Sequence, residues 1–454
     1  MRKEIAIPLY TDLLNGFNHS IETAESETVQ QARRKGFESF KELGFPTRKN
    51  EDWKYTFVTP FLQEQYHING IAKEAAITPG LLQQAAIPAL GCYQVVLLNG
   101  QLQTKPDALP AYLKLLTIDE AQEDINLQKY FGKNTDVNHY HFAALNTALF
   151  SNGVFVEIAA NAVLDKPLHI VHAFTAAANM FIQPRHLFLV NKGASLSIVE
   201  SVVSDNSSSG IFKSSSKIFI NNLTEVVVEE NAFFDHFVLQ TAQSGTRLVN
   251  ETDVSQKRHS VYSNYTFSMP KADLIRNNLN VALNDDQTET HLYGLYLGED
   301  QQVIDNHTFI HHRKPNCNSN EIYKGVLLDR ATGVFNGKVF VEPEAQKTNA
   351  FQQNNNLLLS NKATINTKPQ LEIFADDVKC SHGATVGQLS KEAMFYLRAR
   401  GIGEEAARAL LVNAFAFDVT EKIKIPELEQ FINHLISQHI PGNKSQTLPG
   451  SFFD

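Results

Sequence analysis

A cysteine and a histidine stand two residues apart in the stretch from Asp376 to Leu389, as Cys380 and His382. In an extended strand, side chains two residues apart point to the same face, so the thiol and the imidazole would lie side by side. Thiolate and neutral imidazole are well suited to iron, zinc or sulfur chemistry. The pair therefore indicates a metal or sulfur site, and the alternative interpretation is a buried thiol beside a hydrogen-bonded histidine.

Other patterns with catalytic meaning are weak. Residues 333–339 resemble a P-loop, but one residue too few separates the glycines and no serine or threonine follows Lys338, so a strand corner explains them better. The sequence contains no Gly-x-Gly-x-x-Gly, Gly-x-Ser-x-Gly or His-Glu-x-x-His motif. Solvated or hydrogen-bonded histidines, rather than metal ligands, are predicted for three pairs: His139 with His141, His169 with His172, and His311 with His312.

The composition of the 454 residues excludes several classes of protein. Hydrophobic residues make up 43%, which is enough for a large core, and the net charge of -9 argues against nucleic-acid binding. The cysteines Cys92, Cys317 and Cys380 form no Cys-x-x-Cys pair, so a disulfide framework or a zinc ribbon is not expected. We find no signal peptide and no stretch as long as a membrane span, and we expect a soluble, cytoplasmic protein.

The chain divides into three regions that must position the Cys380–His382 pair. Residues 1–150 read as a mainly helical region, with helices at 20–44, 117–131 and 141–150 and a hairpin at 95–102, where Asn99-Gly100 suits a tight turn. Residues 151–388 read as a β-rich core. Residues 389–454 read as helical again, with Ser390 as an N-cap, Gly401 as a helix end and Pro426 as the start of a third helix.

The β-rich core has the pattern of a solenoid. Short apolar or alternating runs, such as 154–158, 168–171 and 186–190, are separated by turn residues, and no helical period crosses the region. The region is too long for one simple sandwich, and no Trp-Asp signature repeats at the spacing of propeller blades. Asparagines recur at the predicted corners, as in the pair Asn221-Asn222, and the run Gln352–Asn356 suits corners and side-chain amide ladders. The sequence therefore predicts a mainly β protein built around a β-helix.

Several segments together resemble the SufB/SufD family of iron–sulfur cluster assembly proteins. The resemblance covers roughly residues 48–417, and the segment Cys380–Thr385 has the form of the SufD branch. The matching segments are 48–56, 323–327, 345–350, 368–373, 376–388 and 395–402. The resemblance implies a right-handed parallel β-helix between helical ends. It also implies a SufBCD complex of one SufB, one SufD and two copies of the ATPase SufC.

The resemblance also implies roles for particular residues. His382 would help to assemble a transient iron–sulfur cluster at the junction with SufB, and Cys380 beside it has a less defined role. The C-terminal helices would dock SufC, through residues Arg398, Arg400, Gly401, Ile402 and Phe415. The chain has no ATP site of its own, so hydrolysis would belong to SufC and this chain would not be an enzyme. When isolated, the chain would be a monomer or a homodimer.

Two alternatives stay open at this point. A polysaccharide-acting enzyme with a β-helix would need stacked acidic residues in a groove, usually with a basic residue or calcium. Such enzymes are mostly secreted, and this sequence shows no signal peptide. A self-associating structural protein is the other alternative.

Overall fold

The computed structural model describes residues 9–13, 17, 26–68, 77–176, 178–205 and 216–440. The N-terminal part alternates helices and short strands: α1 (Glu27–Leu43), a 3₁₀ turn (Glu51–Trp53), α2 (Thr59–Leu62), β1 (His67–Ile68), α3 (Pro79–Ala85), β2 (Tyr93–Leu98), β3 (Gln101–Thr104), β4 (Leu113–Thr117), α4 (Ile125–Tyr130) and α5 (His141–Leu149). Helix α1 begins where the Ser26 hydroxyl accepts a hydrogen bond from the Val29 amide.

Strands occupy most of the chain from Val154 to Gly387. They are β5 (Val154–Ile158), β6 (Leu168–Thr175), β7 (Met180–Ile182), β8 (Arg185–Val190), β9 (Ser195–Asp205), β10 (Ile218–Val228), β11 (Phe233–Gln240), β12 (Thr246–Gln256), β13 (Val261–Ser268), β14 (Leu274–Leu283), β15 (Glu289–Gly298), β16 (Val303–His312), β17 (Asn318–Leu327), β18 (Thr332–Val341), β19 (Thr348–Leu358), β20 (Thr364–Ile373) and β21 (Val378–Gly387). Three helices follow: α6 (Lys391–Ala399), α7 (Glu404–Thr420) and α8 (Pro426–His439).

The strands form two facing sheets of a parallel β-solenoid, in which successive strands alternate between the sheets. The first sheet has the order β20-β18-β16-β14-β12-β10-β8-β5-β4, with β7 and β1 at its side. The second sheet has the order β21-β19-β17-β15-β13-β11-β9-β6-β2-β3. The predicted mainly β fold, a parallel β-helix with helical regions at both ends, is confirmed.

The interior between the two sheets is an apolar core of side chains stacked coil upon coil. Two reciprocal pairs show how closely the coils approach each other. Gly294 lies in register with Tyr323, and Tyr296 lies in register with Gly325. A Cβ atom at Gly294 would lie 2.2 Å from the Tyr323 ring, and one at Gly325 would lie 2.4 Å from the Tyr296 ring. Glycine is therefore required at positions 294 and 325, where a tyrosine ring of the neighbouring coil occupies the space of a side chain.

One row of corners repeats along the solenoid, once in each coil. Asn231, His259, Gln287, Asn316 and Lys347 form this row, and all five have φ angles of 56° to 61°. The N–H of each of the first four donates to the carbonyl of the residue that precedes the next corner. The left-handed conformation turns the chain, and the corner-to-corner hydrogen bond satisfies its backbone.

The outer faces of both sheets are covered in part, which explains why strands such as β8 are buried on both faces. Helices α7 and α8 pack on the second sheet through a cluster that includes Val412, Ile432 and Ile436. The N-terminal helices pack on the first sheet through a cluster that includes Phe40, Phe142 and Phe219. Strands β2, β3 and β4 extend the two sheets at the N-terminal end.

Several local predictions are confirmed. The hairpin is formed by β2 and β3, and its turn residues Asn99 and Gly100 have φ angles of 51° and 83°. The C-terminal helices begin and end close to the predicted residues, the Ser390 hydroxyl accepts from the Ala393 amide, and Gly401 has a φ of 87°. Within the described residues, no helix is both long and apolar enough to cross a membrane.

Three local predictions need correction. The predicted helix at 117–131 begins only at Ile125, because Thr117 ends strand β4. The pair Asn221-Asn222, interpreted as a turn, lies inside β10, where the Asn221 amide donates to Phe142 O and to Gln183 Oε1. The amide-rich run 352–356 lies inside β19 and not at a corner. Amide ladders between coils do occur, as between Asn222 and Asn250 and between Asn318 and Asn349.

Candidate functional site

Cys380 and His382 lie on β21, the last strand of the second sheet. Strand β21 pairs with β19 on one side, and β20 likewise pairs only with β18. No further described strand pairs with either of them, so both sheets end on an unpaired edge. We call the edge formed by β20 and β21 the open end. Unpaired N–H and C=O groups on such an edge are a template for strand pairing with another chain.

Both side chains lie on the same face of β21, as the spacing predicted, and this face is the interior side of the solenoid. Cys380 packs against the apolar core, and the alternation of side chains places His382 on the same face. The two Cα atoms are about 7 Å apart at the rise of an extended strand. Because no described coil covers β21, the imidazole is exposed to solvent even though it faces inward. The open end therefore presents a thiol and an imidazole together.

The Cys380 thiol is half-buried, and its environment favours the protonated form. Burial raises the pKa of the Cys380 thiol above its ordinary value, and a hydrogen bond from the Ala350 backbone opposes this effect. A thiol with a raised pKa is a weak nucleophile until a cation displaces its proton. Such a residue is protected from unspecific chemistry and remains able to bind a metal ion.

Beneath His382, the interior of the solenoid is polar. Gln352 on β19 is in register with His382, and Glu321 on β17 is in register with Gln352. Both are buried, and the Gln352 amide donates to Glu321 Oε2 over 2.7 Å. Burial raises the pKa of Glu321 to about 7, against the effect of hydrogen bonds from Thr308 and Gln352. Sequence analysis missed this pair, and the regular repeat of the coils was the signal that could have found it.

The histidines of the three other pairs have hydrogen-bond partners. Each is hydrogen-bonded as predicted: His139 to Asp136, His141 to Gly44 O, His169 to Ser201, His172 to Glu200, His311 to Glu342 and His312 to Ser319. Across the described residues, no three or more His, Cys, Asp or Glu side chains are arranged to hold a metal ion. The P-loop-like segment 333–339 lies within strand β18, so it is a strand and not the predicted corner.

The residues predicted to dock SufC are spread over the C-terminal helices. Arg398 lines a cleft of about 830 Å³ between α6 and the corner at 358–361. The Arg400 guanidinium lies 4.5 Å from the Tyr396 ring centre, and Gly401 and Ile402 form the turn after α6. Phe415 is half-buried against α8 and the second sheet, and does not line the cleft.

Sequence analysis missed most of the exposed apolar residues near this cleft. Phe395 is 75% exposed, Tyr396 55% and Leu410 50%, which is unusual for large apolar side chains grouped on two neighbouring helices. Phe417 on α7 is also exposed, at 52%.

Comparison with known proteins identifies the family of this chain. Residues 173–415 match the family model of the SufBD core domain of the SUF system for iron–sulfur cluster assembly, and residues 6–170 match that of the SufBD N-terminal region. An iron–sulfur cluster assembly SufBD family protein of Synechocystis is 31% identical over 402 residues, which are 87% of each chain. The chain belongs to the SufBD family.

Two further relatives extend the comparison. The iron–sulfur cluster assembly protein SufD of Escherichia coli is 28% identical over 439 residues, which are 96% of this chain and 99% of that protein. The chloroplastic protein ABCI7 of Arabidopsis thaliana is 35% identical over 254 residues, which are 56% of this chain and 52% of that protein. The predicted resemblance is confirmed, and the protein is a component of iron–sulfur cluster assembly.

Proposed function

We propose that this chain is a SufD-type scaffold subunit of a SufBCD complex, without catalytic activity of its own. The observation that carries the proposal is the open end, where β20 and β21 each have an unpaired edge and β21 carries Cys380 and His382. Pairing of SufB with these edges would cover the inward-facing thiol and imidazole. The two donors would then complete, with donors of SufB, a site for a transient iron–sulfur cluster.

The proposal divides the chemistry between subunits. This chain supplies a rigid rod, two donor side chains and a docking surface, and ATP hydrolysis belongs to SufC. We propose that region 389–454 docks SufC through Arg398, Arg400, Gly401, Ile402 and Phe415, with Phe395 and Tyr396 as additional contacts. ATP-driven movement of SufC would open or close the seam between the two solenoids. The cytoplasmic location remains a prediction.

His382→Ala tests the proposed site. The variant keeps its fold and its complex with SufB and SufC, and loses iron–sulfur cluster assembly in cells that depend on this system. His139→Ala is the matched control, because His139 is exposed on the N-terminal region. Normal cluster assembly with His382→Ala would remove the site from the proposal, while loss of the complex would give His382 a structural role.

Arg398→Glu tests the docking surface. We expect it to weaken co-purification with SufC at least tenfold and to leave binding to SufB unchanged. Arg258→Glu, on a corner of the solenoid, is the control for the change of charge. Unchanged SufC binding by Arg398→Glu and by Phe395→Ala would contradict the assignment of this surface.

The open end also bears on self-association. Without SufB, the same unpaired edges are available to a second copy of the chain, and we propose a homodimer in that condition. Light scattering of the isolated chain and of its mixture with SufB tests this, because one edge cannot bind both partners.

The polysaccharide-acting alternative rests on a polar groove on the outer face of the first sheet. The groove measures about 460 Å³, and Glu251, Glu372 and Lys338 line it. These two carboxylates already have partners. Glu372 forms an ion pair with Lys338, and Glu251 accepts hydrogen bonds from Asn278 and Asn280. We expect no turnover of pectin-like polymers in a lyase or hydrolase assay.

A further inference from the structure

Three polar side chains form a column inside the solenoid that ends at the open end. Glu321, Gln352 and His382 occupy matching register positions on the neighbouring strands β17, β19 and β21. Neighbouring strands are about 4.8 Å apart, so each side chain is adjacent to the next. Glu321 and Gln352 are buried, and His382 is the exposed last member of the column.

The middle residue of the column has an unused acceptor. The Gln352 amide nitrogen donates to Glu321 Oε2 over 2.7 Å, whereas Gln352 Oε1 is buried without a hydrogen-bond partner among the described residues. A buried amide oxygen without a partner is unfavourable by about 1–3 kcal/mol, so such an atom calls for an explanation. The described structure also contains no side-chain hydrogen bond to His382, the residue next in the column.

The orientation of the Gln352 amide is fixed by its surroundings. Glu321 Oε2 accepts a hydrogen bond, and only the nitrogen of the amide can donate one, so an amide with its oxygen and nitrogen exchanged would lose this contact. On the opposite sheet, a Cβ atom at Gly337 would lie 2.4 Å from Gln352 Nε2, which shows how little space surrounds the nitrogen. The side-chain oxygen of Gln352 is therefore the atom left to accept a hydrogen bond from the next strand, β21.

We propose that Gln352 is a positioning residue for His382: its side-chain oxygen accepts the N–H of one imidazole nitrogen, and the other nitrogen is thereby held as a lone-pair donor at the open end. Histidines that bind metal ions commonly donate their second ring N–H to a carbonyl or carboxylate, which fixes the tautomer and orients the ring. Glu321 acts one step further in, by holding the Gln352 amide. The inference rests on the proposed function of the open end and names a further residue of that site.

Nuclear magnetic resonance of the full-length chain tests the contact without any cluster chemistry. In protein labelled with ¹⁵N-histidine, the His382 signals are assigned by their loss in His382→Ala, and their shifts report the ratio of the two tautomers at pH 8. We expect Gln352→Met to change this ratio about fivefold, which corresponds to one neutral hydrogen bond of about 1 kcal/mol. The matched control is Gln353→Met, the next residue on β19, which is exposed on the outer face.

Rescue separates positioning from packing. The exchanged double variant Glu321→Gln/Gln352→Glu keeps one amide donor and one carboxylate acceptor between the two positions and an acceptor oxygen beside His382, so it should keep the tautomer bias that Gln352→Met loses. If Gln352→Met does not fold, as judged by its thermal unfolding, Gln352→Asn replaces it, because the shorter side chain withdraws the acceptor. An unchanged tautomer ratio in the folded variant would overturn the proposal.

The two levels of inference fail in different ways. If His382→Ala assembles clusters normally while Gln352→Met still changes the tautomer ratio, the proposed function fails and the contact stands. If His382→Ala abolishes assembly and Gln352→Met leaves the ratio unchanged, the proposed function stands and the positioning role of Gln352 is excluded.

Discussion

The guanidinium of Arg276, on strand β14, lies 3.8 Å from the ring centre of Trp53, the single tryptophan of the chain. The same guanidinium donates to Asp305 Oδ2 and to the Asp52 carbonyl, and the Thr56 hydroxyl also bonds Asp305. Burial disfavours the charged form, but Arg276 and His307 outweigh it and hold the pKa of Asp305 well below its usual range. The contact fastens the N-terminal segment to the first sheet.

Arg276→Met should strongly destabilise the protein. It leaves the buried Asp305 carboxylate without its main partner, which typically costs about 3–5 kcal/mol. The double variant Arg276→Met/Asp305→Asn removes both charges and should recover more than half of the loss. Urea unfolding of the wild type, of Arg276→Met, of Asp305→Asn and of the double variant measures this. Additive losses in the double variant would mean that the two residues do not act as a pair.

Glu321→Gln should remove a pH dependence of stability. The pKa of Glu321 is raised to about 7 in the folded protein, from an ordinary value of 4.5. The folded state therefore holds a proton that the unfolded state releases between pH 4.5 and 7, and stability falls across this window as pH rises. Between pH 5 and pH 8, the wild type should lose about 2–3 kcal/mol relative to Glu321→Gln in urea unfolding. Parallel pH profiles would contradict the raised pKa.

Gly337→Ala should disturb the open end from the opposite sheet. The added Cβ atom would lie 2.4 Å from Gln352 Nε2 and 2.7 Å from the Phe335 ring, in a packed interior. We expect a loss of about 1–3 kcal/mol in thermal or urea unfolding, because such overpacking displaces its neighbours. Gly387→Ala is the control, since nothing lies within 4 Å of a Cβ atom built there. Equal stability of the two variants would argue against this packing.

Lys324→Met should loosen helix α7 and leave the solenoid intact. The buried Lys324 ammonium donates to the Phe415 carbonyl over 2.7 Å and also bonds Asp418. Loss of these charged hydrogen bonds, worth about 2 kcal/mol, should speed hydrogen exchange in residues 404–420 about thirtyfold. Lys362→Met, at an exposed corner, is the control. Exchange that is faster throughout the chain would indicate global destabilisation instead.

Cys380 should be slow to alkylate. Because burial raises the pKa of its thiol, the thiolate fraction is small at pH 8. Iodoacetamide should modify Cys380 more slowly than a cysteine in an unfolded peptide, and the rate should still rise above pH 9. Mass spectrometry of the Cys380 peptide measures the rate. A plateau at or below pH 8 would contradict the raised pKa.

Local patterns in the sequence predicted much of this fold. Strand β5 spans residues 154–158 as predicted, and the spacing of Cys380 and His382 predicted that they share a face. These features depend on alternation and turn chemistry within a few residues. Asn221-Asn222 reads as a turn by the same rules, yet it lies inside β10 because its amide bonds groups on Phe142 and Gln183, which are distant in the chain.

The contacts inside the site could not be predicted from local sequence patterns. Glu321 and Gln352 belong to different coils, and nothing in either neighbourhood indicates that they touch until the register of β17 and β19 is known. The same holds for Arg276 and Trp53, because one lies in the middle of the solenoid and the other in the N-terminal region. The charged turn around Trp53 is typical of a surface segment held by aromatic packing, but that local pattern does not identify Arg276 as the cation over the ring.

The row of left-handed corners has a consequence for how such a rod can change in length. Each corner closes one coil, and each coil advances the rod by one strand spacing of about 4.8 Å. An insertion of a few residues can bulge outward at a corner, but only a whole coil can lengthen the stack. The distance along the rod from the Arg276–Trp53 contact to the Cys380–His382 pair can therefore change only by whole coils. A partner that contacts both places has to accommodate the same increments.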